Sequence, residues 1–251
     1  MTEQAPNYSE IVNSLASMMN IQHSTNVATV NSDYLEARLD WEAALLVEIS
    51  EAVASSGYKW WKKEDVDLEN VQTELVDIYH FLMSLFLSKS CDKYTVKSFI
   101  EDYSSRYFTV FVPIHRPAEE MELLINTSQF NPKAFSYQAK SLIRRILNNE
   151  DIQVTLLPLV EMIAMTGMTF NEFVYRYQVK NALNTFRRRN GYKEGTYRKE
   201  WPSFSDSDIM VEDNTAALEL VRHEELVDAD EIAEALDHYY RMMVIPLEEV
   251  Q

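Results

Sequence analysis

The sequence predicts an all-α protein, a bundle of long helices, on three observations. Only 4 of the 251 residues are Gly, against roughly 7% in ordinary chains. With 7 Pro in addition, the chain is poor in the residues that tight turns require. Apolar residues recur at three- and four-residue spacing through most of the length. A chain of 251 residues can bury a sizeable core as one large domain or two small ones.

Taken in order, Ile11 to Gln22 reads as an amphipathic helix, with Gln22 and Asn26 one turn apart at its end. Asn31-Ser32-Asp33 offers N-cap chemistry for a helix over Leu39 to Ser55, whose apolar stripe runs Trp41, Leu45, Glu48, Ala52. Gly57 suits the C′ position of that helix. The loop Tyr58-Lys59-Trp60-Trp61-Lys62-Lys63 follows; of its adjacent tryptophans one is expected to be buried and the other to offer a flat face to a base. A further helix spans Val71 to Leu87. Cys91 to Phe111 holds another helix or two, and Pro113 and Pro117 mark a break within Val112 to Ala118, with a second at Pro132. Helical periodicity returns over Ala134 to Asn148 and Asp151 to Met165. Ala216 to His223 and Asp230 to Met243 complete the set.

Charge narrows the function. A net charge of −17 argues against general nucleic-acid binding, which draws on Lys and Arg against phosphates. The single Cys91 excludes an intrachain disulfide framework and fits a reducing compartment. Met1 to Glu10 shows no signal-peptide pattern. Phe81 to Leu87, the most apolar run, is too short to span a bilayer. The expectation is a soluble, cytoplasmic protein without a membrane partner.

Two acid pairs break the helical pattern. Glu48 and Glu74 fall inside apolar stripes, and Glu51 and Asp77 lie three residues on, sharing their faces. Carboxylates in an apolar interface cost several kcal/mol each, roughly, unless protonated, ion-paired or coordinated. Four hard oxygen donors on two facing helices suit magnesium, which can polarise a phosphoryl group and generate a nucleophile from water. A single Glu-x-x-Glu is ordinarily a solvated face; two pairs on consecutive helices, both intruding on the core stripe, are far less common.

The second informative stretch is Arg176 to Lys199. Arg176, Lys180, Arg187, Arg188, Arg189, Lys193, Arg198 and Lys199 face one acid, Glu194, so this segment carries +7 and the rest of the chain −24. Lys180, Asn184 and Arg187 share one helical face. Gly191 and Gly195 flank Tyr192-Lys193-Glu194, where backbone N–H groups can approach an anion. Together they suit a polyphosphate tail, the alternatives for the arginine run being a solvated face or a nucleic-acid patch, the latter disfavoured by its shortness within a strongly acidic chain.

These residues resemble a known family. Glu48-x-x-Glu51, the loop Tyr58 to Lys62, Glu74 to Phe81, Asn184 to Arg187, Gly191 to Trp201 and Glu212-Asp213-Asn214 together resemble the dimeric dUTP diphosphatases of the all-α nucleotide pyrophosphohydrolase superfamily. The resemblance implies a helical homodimer that hydrolyses dUTP, and dUDP, to dUMP with two or three Mg²⁺ ions. It implies Glu48, Glu51, Glu74 and Asp77 as metal ligands, with Glu51 taking a proton from the attacking water and Glu48 beside it. Gln22, Asn26, Trp60, His80 and Phe81 would line the uracil and deoxyribose pocket. Lys180, Asn184, Arg187, Tyr192, Lys193, Lys199 and Asn214 would hold the phosphates, assisted by Lys59 and Lys62. On this reading 1–90 and 135–205 form the catalytic core, 91–134 is a candidate inserted, mobile helical subdomain, and 206–251 an acidic helical extension. Three alternatives stand beside it: a pyrophosphatase that also takes dCTP, a di-iron carboxylate bundle, which lacks the paired Glu-x-x-His motifs, and a non-enzymatic helical interaction protein.

Overall fold

In a computed structural model the described residues are 6–37, 39–90, 93–116 and 130–244; Arg38, Cys91 and Pro117 lie outside them. They are helical but for one two-stranded ribbon. The chain divides into two compact units, Met1–Val174 and Tyr175–Gln251.

In the first unit α1 (Tyr8–Thr29) begins with a capping box, in which Asn7 Oδ1 accepts from Glu10 N–H at 3.1 Å and Glu10 Oε2 accepts from Asn7 N–H at 2.7 Å. It runs two turns beyond Gln22, so Gln22 and Asn26 are buried in the helix interior rather than at its end. Helix α2 (Trp41–Ser55) is capped by Asp40, whose Oδ1 accepts from Ala43 N–H at 2.9 Å. The expected cap, Asn31-Ser32-Asp33, instead folds on itself in a turn, with Asn31 Oδ1 accepting from Asp33 N–H at 2.8 Å. The buried stripe of α2 is Leu45, Ile49 and Ala52; Ile49, not Glu48, is its central residue. Gly57 takes the left-handed conformation at φ 68°, one residue past the Ser56 C-cap, a region that costs a residue with a Cβ.

Helix α3 (Leu68–Ser90) is the axis of this unit and packs on α1, α2 and α4 (Val96–Tyr107). Val71, Leu75, Ile78, Tyr79, Leu82 and Met83 are all fully buried, more than one stripe's width of the helix, as contact on several sides requires. A 3₁₀ turn, Phe108–Ile114, follows α4 and carries Pro113. Phe99, Ile100 and Tyr103 of α4 are buried, so the described part of 91–134 contributes to the core. Pro132 opens α5 (Pro132–Leu147) at its first turn, where a missing N–H costs nothing. Helix α6 (Ile152–Met165), capped by Asp151, packs on α5 and α3. Among the described residues no single helix is long and apolar enough to cross a membrane.

Helix α7 (Phe170–Arg189) begins in the first unit and continues into the second. There, β1 (Glu200–Pro202) pairs antiparallel with β2 (Met210–Glu212), Trp201 opposite Val211. Sequence periodicity gave no strand here, because three residues on each side are too few to show alternation. Helices α8 (Asp213–His223) and α9 (Ala229–Tyr239) follow, and α9 runs into a π turn, Tyr240–Val244. Their core gathers Leu183, Phe186, Trp201, Val221, Ile232, Leu236 and Tyr240.

Candidate active site

The acid pairs sit on a helical hairpin tied at both ends. At the loop end, Asp67 N–H donates to the Ser55 carbonyl at 3.0 Å and Asn70 Nδ2 to Ser55 Oγ at 2.7 Å. At the far end Lys89 Nζ lies 3.2 Å from Glu42 Oε1. Glu48 is about 10 Å of helix back from Ser55 and Glu74 about 9 Å on from Leu68, at 1.5 Å per residue. The two therefore come level. Glu48, Glu74 and Asp77 present carboxylate oxygens within 4.8 Å of one another, Glu74 buried and the other two half-buried. Glu51, three residues after Glu48, is exposed and stands outside this triad. A hard divalent cation is the ligand such a donor set fits.

Against the hairpin lies a buried polar knot. Gln22 and Asn26 of α1 meet His80 and Ser84 of α3, all at most 6% exposed. His80 Nδ1 and Gln22 Oε1 are 2.6 Å apart, Gln22 Nε2 donates to Asn26 Oδ1 at 2.9 Å, and both amide nitrogens donate to Ser84 Oγ at 3.0 Å. Three of the residues read as base-lining are thus brought together. Phe81 is half-buried, its ring 6.2 Å from that of Trp41. Trp41 Nε1 is buried without a hydrogen-bond partner among the described residues. Trp60 stands apart from the knot in character: it is 84% exposed and its neighbour Trp61 64%. The expectation that one of the pair is buried is overturned. The two rings instead meet edge-on at 5.7 Å and both stay largely exposed. Lys59 and Lys62 both bind Glu64, at 3.0 and 2.7 Å, and these two ammonium groups, Lys62 foremost, hold its carboxyl below the ordinary range.

The second unit carries the cations. Arg187, 8% exposed, forms a fork on Asp213, Nε to Oδ2 at 2.7 Å and Nη2 to Oδ1 at 2.6 Å. Its remaining donors reach Asn184 Oδ1 at 3.3 Å and Asn214 Oδ1 at 3.1 Å. Lys180 Nζ donates to the same Asn214 oxygen at 2.9 Å. The Tyr192 ring takes Arg187 on its face at 5.7 Å and Lys199 at 5.5 Å. Tyr197 OH donates to Asp213 Oδ2 at 2.7 Å, and burial, then the adjacent carboxylate, raises its pKa far above the ordinary phenol value. Six of the residues read as phosphate-binding (Lys180, Asn184, Arg187, Tyr192, Lys199, Asn214) are thus joined through one network, while Lys193 is exposed. Gly191 and Gly195 bound its turn at φ 83° and 74°.

Sequence reasoning passed over three residues. Ser84 was signalled only as the one polar residue within the run Phe81 to Leu87, Asp213 only as a member of an acidic stretch, and Tyr197 only by its place in a motif.

Carboxylates gathered on a helical hairpin, in a chain otherwise built of helices, have the constitution of an all-α hydrolase that works on nucleotide phosphates. The family follows from sequence comparison: residues 14–192 match the model of a family described as dUTPase. The chain belongs to that family, the dimeric all-α dUTPases, and is a dUTP diphosphatase. No curated protein matches the chain. The matched span takes in the acid triad and the amide knot, and it ends before Lys193, Lys199, Asp213 and Asn214. Its members typically depend on a divalent metal, and the triad supplies the oxygen donors for one.

Proposed function

We propose that the protein hydrolyses dUTP and dUDP to dUMP with Mg²⁺, held by Glu48, Glu74 and Asp77 with Glu51 at the solvent edge. When bound, the cation neutralises phosphoryl oxygens and makes water acidic enough to serve as nucleophile at neutral pH. Glu51, exposed and one turn from Glu48, accepts the proton of the attacking water. The new P–O bond forms at the β-phosphorus while the bond from that phosphorus to the α-β bridging oxygen breaks. dUMP leaves with the bridging oxygen, and pyrophosphate, or phosphate from dUDP, carries the oxygen of water. Gln22, Asn26, His80, Phe81 and Trp60 receive the uracil and deoxyribose. Lys180, Asn184, Arg187, Tyr192, Lys193, Lys199 and Asn214, with Lys59 and Lys62, meet the phosphates. The working form on this reading is a cytoplasmic homodimer.

The observation that carries the proposal is the triad: three carboxylates within 4.8 Å of one another on two neighbouring helices make the oxygen donor set that a hard divalent cation takes. Glu51→Gln tests the proton transfer. It should leave the melting temperature unchanged and reduce kcat by about 10²–10⁴-fold, the range for loss of a general base. A fully active Glu51→Gln enzyme removes that residue from the mechanism. Hydrolysis in ¹⁸O-water should place the label in pyrophosphate, and label in dUMP would move the attack to the α-phosphorus.

A further inference from the structure

The acidic helical extension has no part in the reaction above, yet it carries a groove of its own. Between the loop after β1, the end of α8 and the outer side of α9 lies an open cavity of about 850 Å³. Helix α9 commits Ile232, Leu236 and Tyr239 to the core of its unit. Its next face, with Glu231, Glu234, Ala235 and His238, lines the groove, and Met242 prolongs that face by a turn. The apolar part of the lining is Phe204, Leu220, Leu226, Ala235 and the exposed thioethers of Met242 and Met243. The Phe204 ring is braced by His223 at 4.7 Å and by Tyr239 at 5.7 Å, and Tyr239 OH donates to the Pro202 carbonyl at 2.9 Å. Around this floor stand three exposed acids, Glu224, Glu231 and Glu234. Among the described residues Glu231 and Glu234 enter no ion pair, and Glu224 meets only His223, at 3.9 Å. Residues 203–244 hold 12 Asp and Glu against two Arg and no Lys, and Arg241 is taken by Asp237 at 2.9 Å.

We propose that this groove docks a basic amphipathic helix of a partner protein, its apolar face on Phe204 and the two methionines and its Lys or Arg side chains against Glu224, Glu231 and Glu234. None of the lining residues belongs to β1 or β2, so there is no strand edge for an extended peptide to prolong. The occupant must instead insert side chains at the three- and four-residue spacing of a helix, and unbranched thioethers adapt their shape to such knobs. Charge decides between occupants. The chain's own residues 245–251, which lie outside the described residues, include Glu248 and Glu249 and no cation, so they would bring acid to acid. A second copy brings a net charge of −17. Nucleic acid and an anionic lipid surface meet the same repulsion. A cationic helix alone satisfies both the apolar floor and the unpaired rim.

The test is fluorescence polarisation on the full-length protein with a labelled peptide of about four helical turns, leucine along one face and lysine elsewhere, beside the same peptide with glutamate for lysine. The lysine form should bind and the glutamate form should not. Glu231→Lys combined with Glu234→Lys should weaken the lysine peptide by about tenfold or more and admit the glutamate peptide. Met242→Ser combined with Met243→Ser should weaken it by about tenfold through lost apolar contact. Glu36→Lys combined with Glu161→Lys makes the same change of charge at exposed acids of the first unit and should leave binding nearly unchanged. All these positions are exposed, so melting temperature and dUTP turnover should stay at the wild-type values. Absence of binding by the lysine peptide overturns the proposal. So does a first-unit pair that weakens binding as much as the groove pairs, since net charge alone would then attract the peptide. A chain ending at Val244 that binds where the full chain does not would give the groove to residues 245–251. Groove variants that change the number of chains in sedimentation would give it to a second copy, and either result overturns the proposal.

Discussion

Asp213→Asn removes a charge from the second unit with almost no change in shape, and its cost can be worked from the contacts. The Asp213 side chain is 1% exposed and accepts three bonds: Arg187 Nη2 on Oδ1 at 2.6 Å, and Arg187 Nε and Tyr197 OH on Oδ2, both at 2.7 Å. Whichever way the amide turns, its NH₂ faces an arginine N–H. At least one charge-assisted bond is lost, about 1.5–3 kcal/mol, and the guanidinium loses its counter-charge. The sum approaches the ~3–5 kcal/mol of a broken buried ion pair. At about 2–4 °C per kcal/mol for a chain of this size, the melting temperature should fall by roughly 10 °C. Urea unfolding supplies the free energy, and a double-mutant cycle with Arg187→Met supplies the coupling; the double variant should cost less than the sum of the singles. An Asp213→Asn protein within about 1 kcal/mol of wild type, the value of a solvated pair, would refute the claim that this is a buried, structure-holding ion pair.

Other outcomes follow from the same structure. Glu74→Gln should abolish stabilisation by Mg²⁺ or Mn²⁺ in thermal melts and reduce dUTP turnover by at least about 10³-fold; unchanged metal response would place the cation elsewhere. Ile49→Ala, which empties the fully buried centre of the α2 stripe, should cost about 2–5 kcal/mol in denaturant unfolding. Trp60→Ala, at a residue 84% exposed, should alter stability by no more than about 0.5 kcal/mol while raising KM for dUTP. Burial raises the phenol pKa of Tyr103, Tyr177 and Tyr197. The unfolded chain therefore releases those protons first, and stability complete below about pH 10 should fall as pH rises beyond it. Tyr197→Phe should make that decline shallower in melts from pH 8 to 11.

The helical architecture was legible because apolar spacing persists over four or more turns in α1, α3 and α5. Glu74 could be placed in the interface from its own stripe, and it is buried. Glu48 was drawn into the stripe by the same rule, yet Ile49 fills the core and Glu48 sits at its margin: a helix of 3.6 residues per turn lets either position lie near the seam. The tryptophan loop was misjudged because an apolar side chain carries no record of whether anything packs against it; both rings stand largely exposed, in edge contact with each other. The β ribbon and the Arg187–Asp213 fork were illegible for a related reason. Both depend on contacts between residues far apart in the chain, 26 positions in the case of the fork, which no local pattern encodes.

The family match closes at residue 192, yet Arg187 is clasped from beyond that point, by Asp213 and Asn214. Phe186, one position earlier, likewise rests on Trp201 and Tyr240. Trimming the chain to the matched span would take from the Arg187 guanidinium its Asp213 carboxylate, and from the Phe186 ring two of its aromatic neighbours, at the tip of α7. Residues 193–244 are thus the sleeve in which the last family-matched helix is seated, and shortening the protein from that end should dismantle the Arg187 network before it touches the acid hairpin.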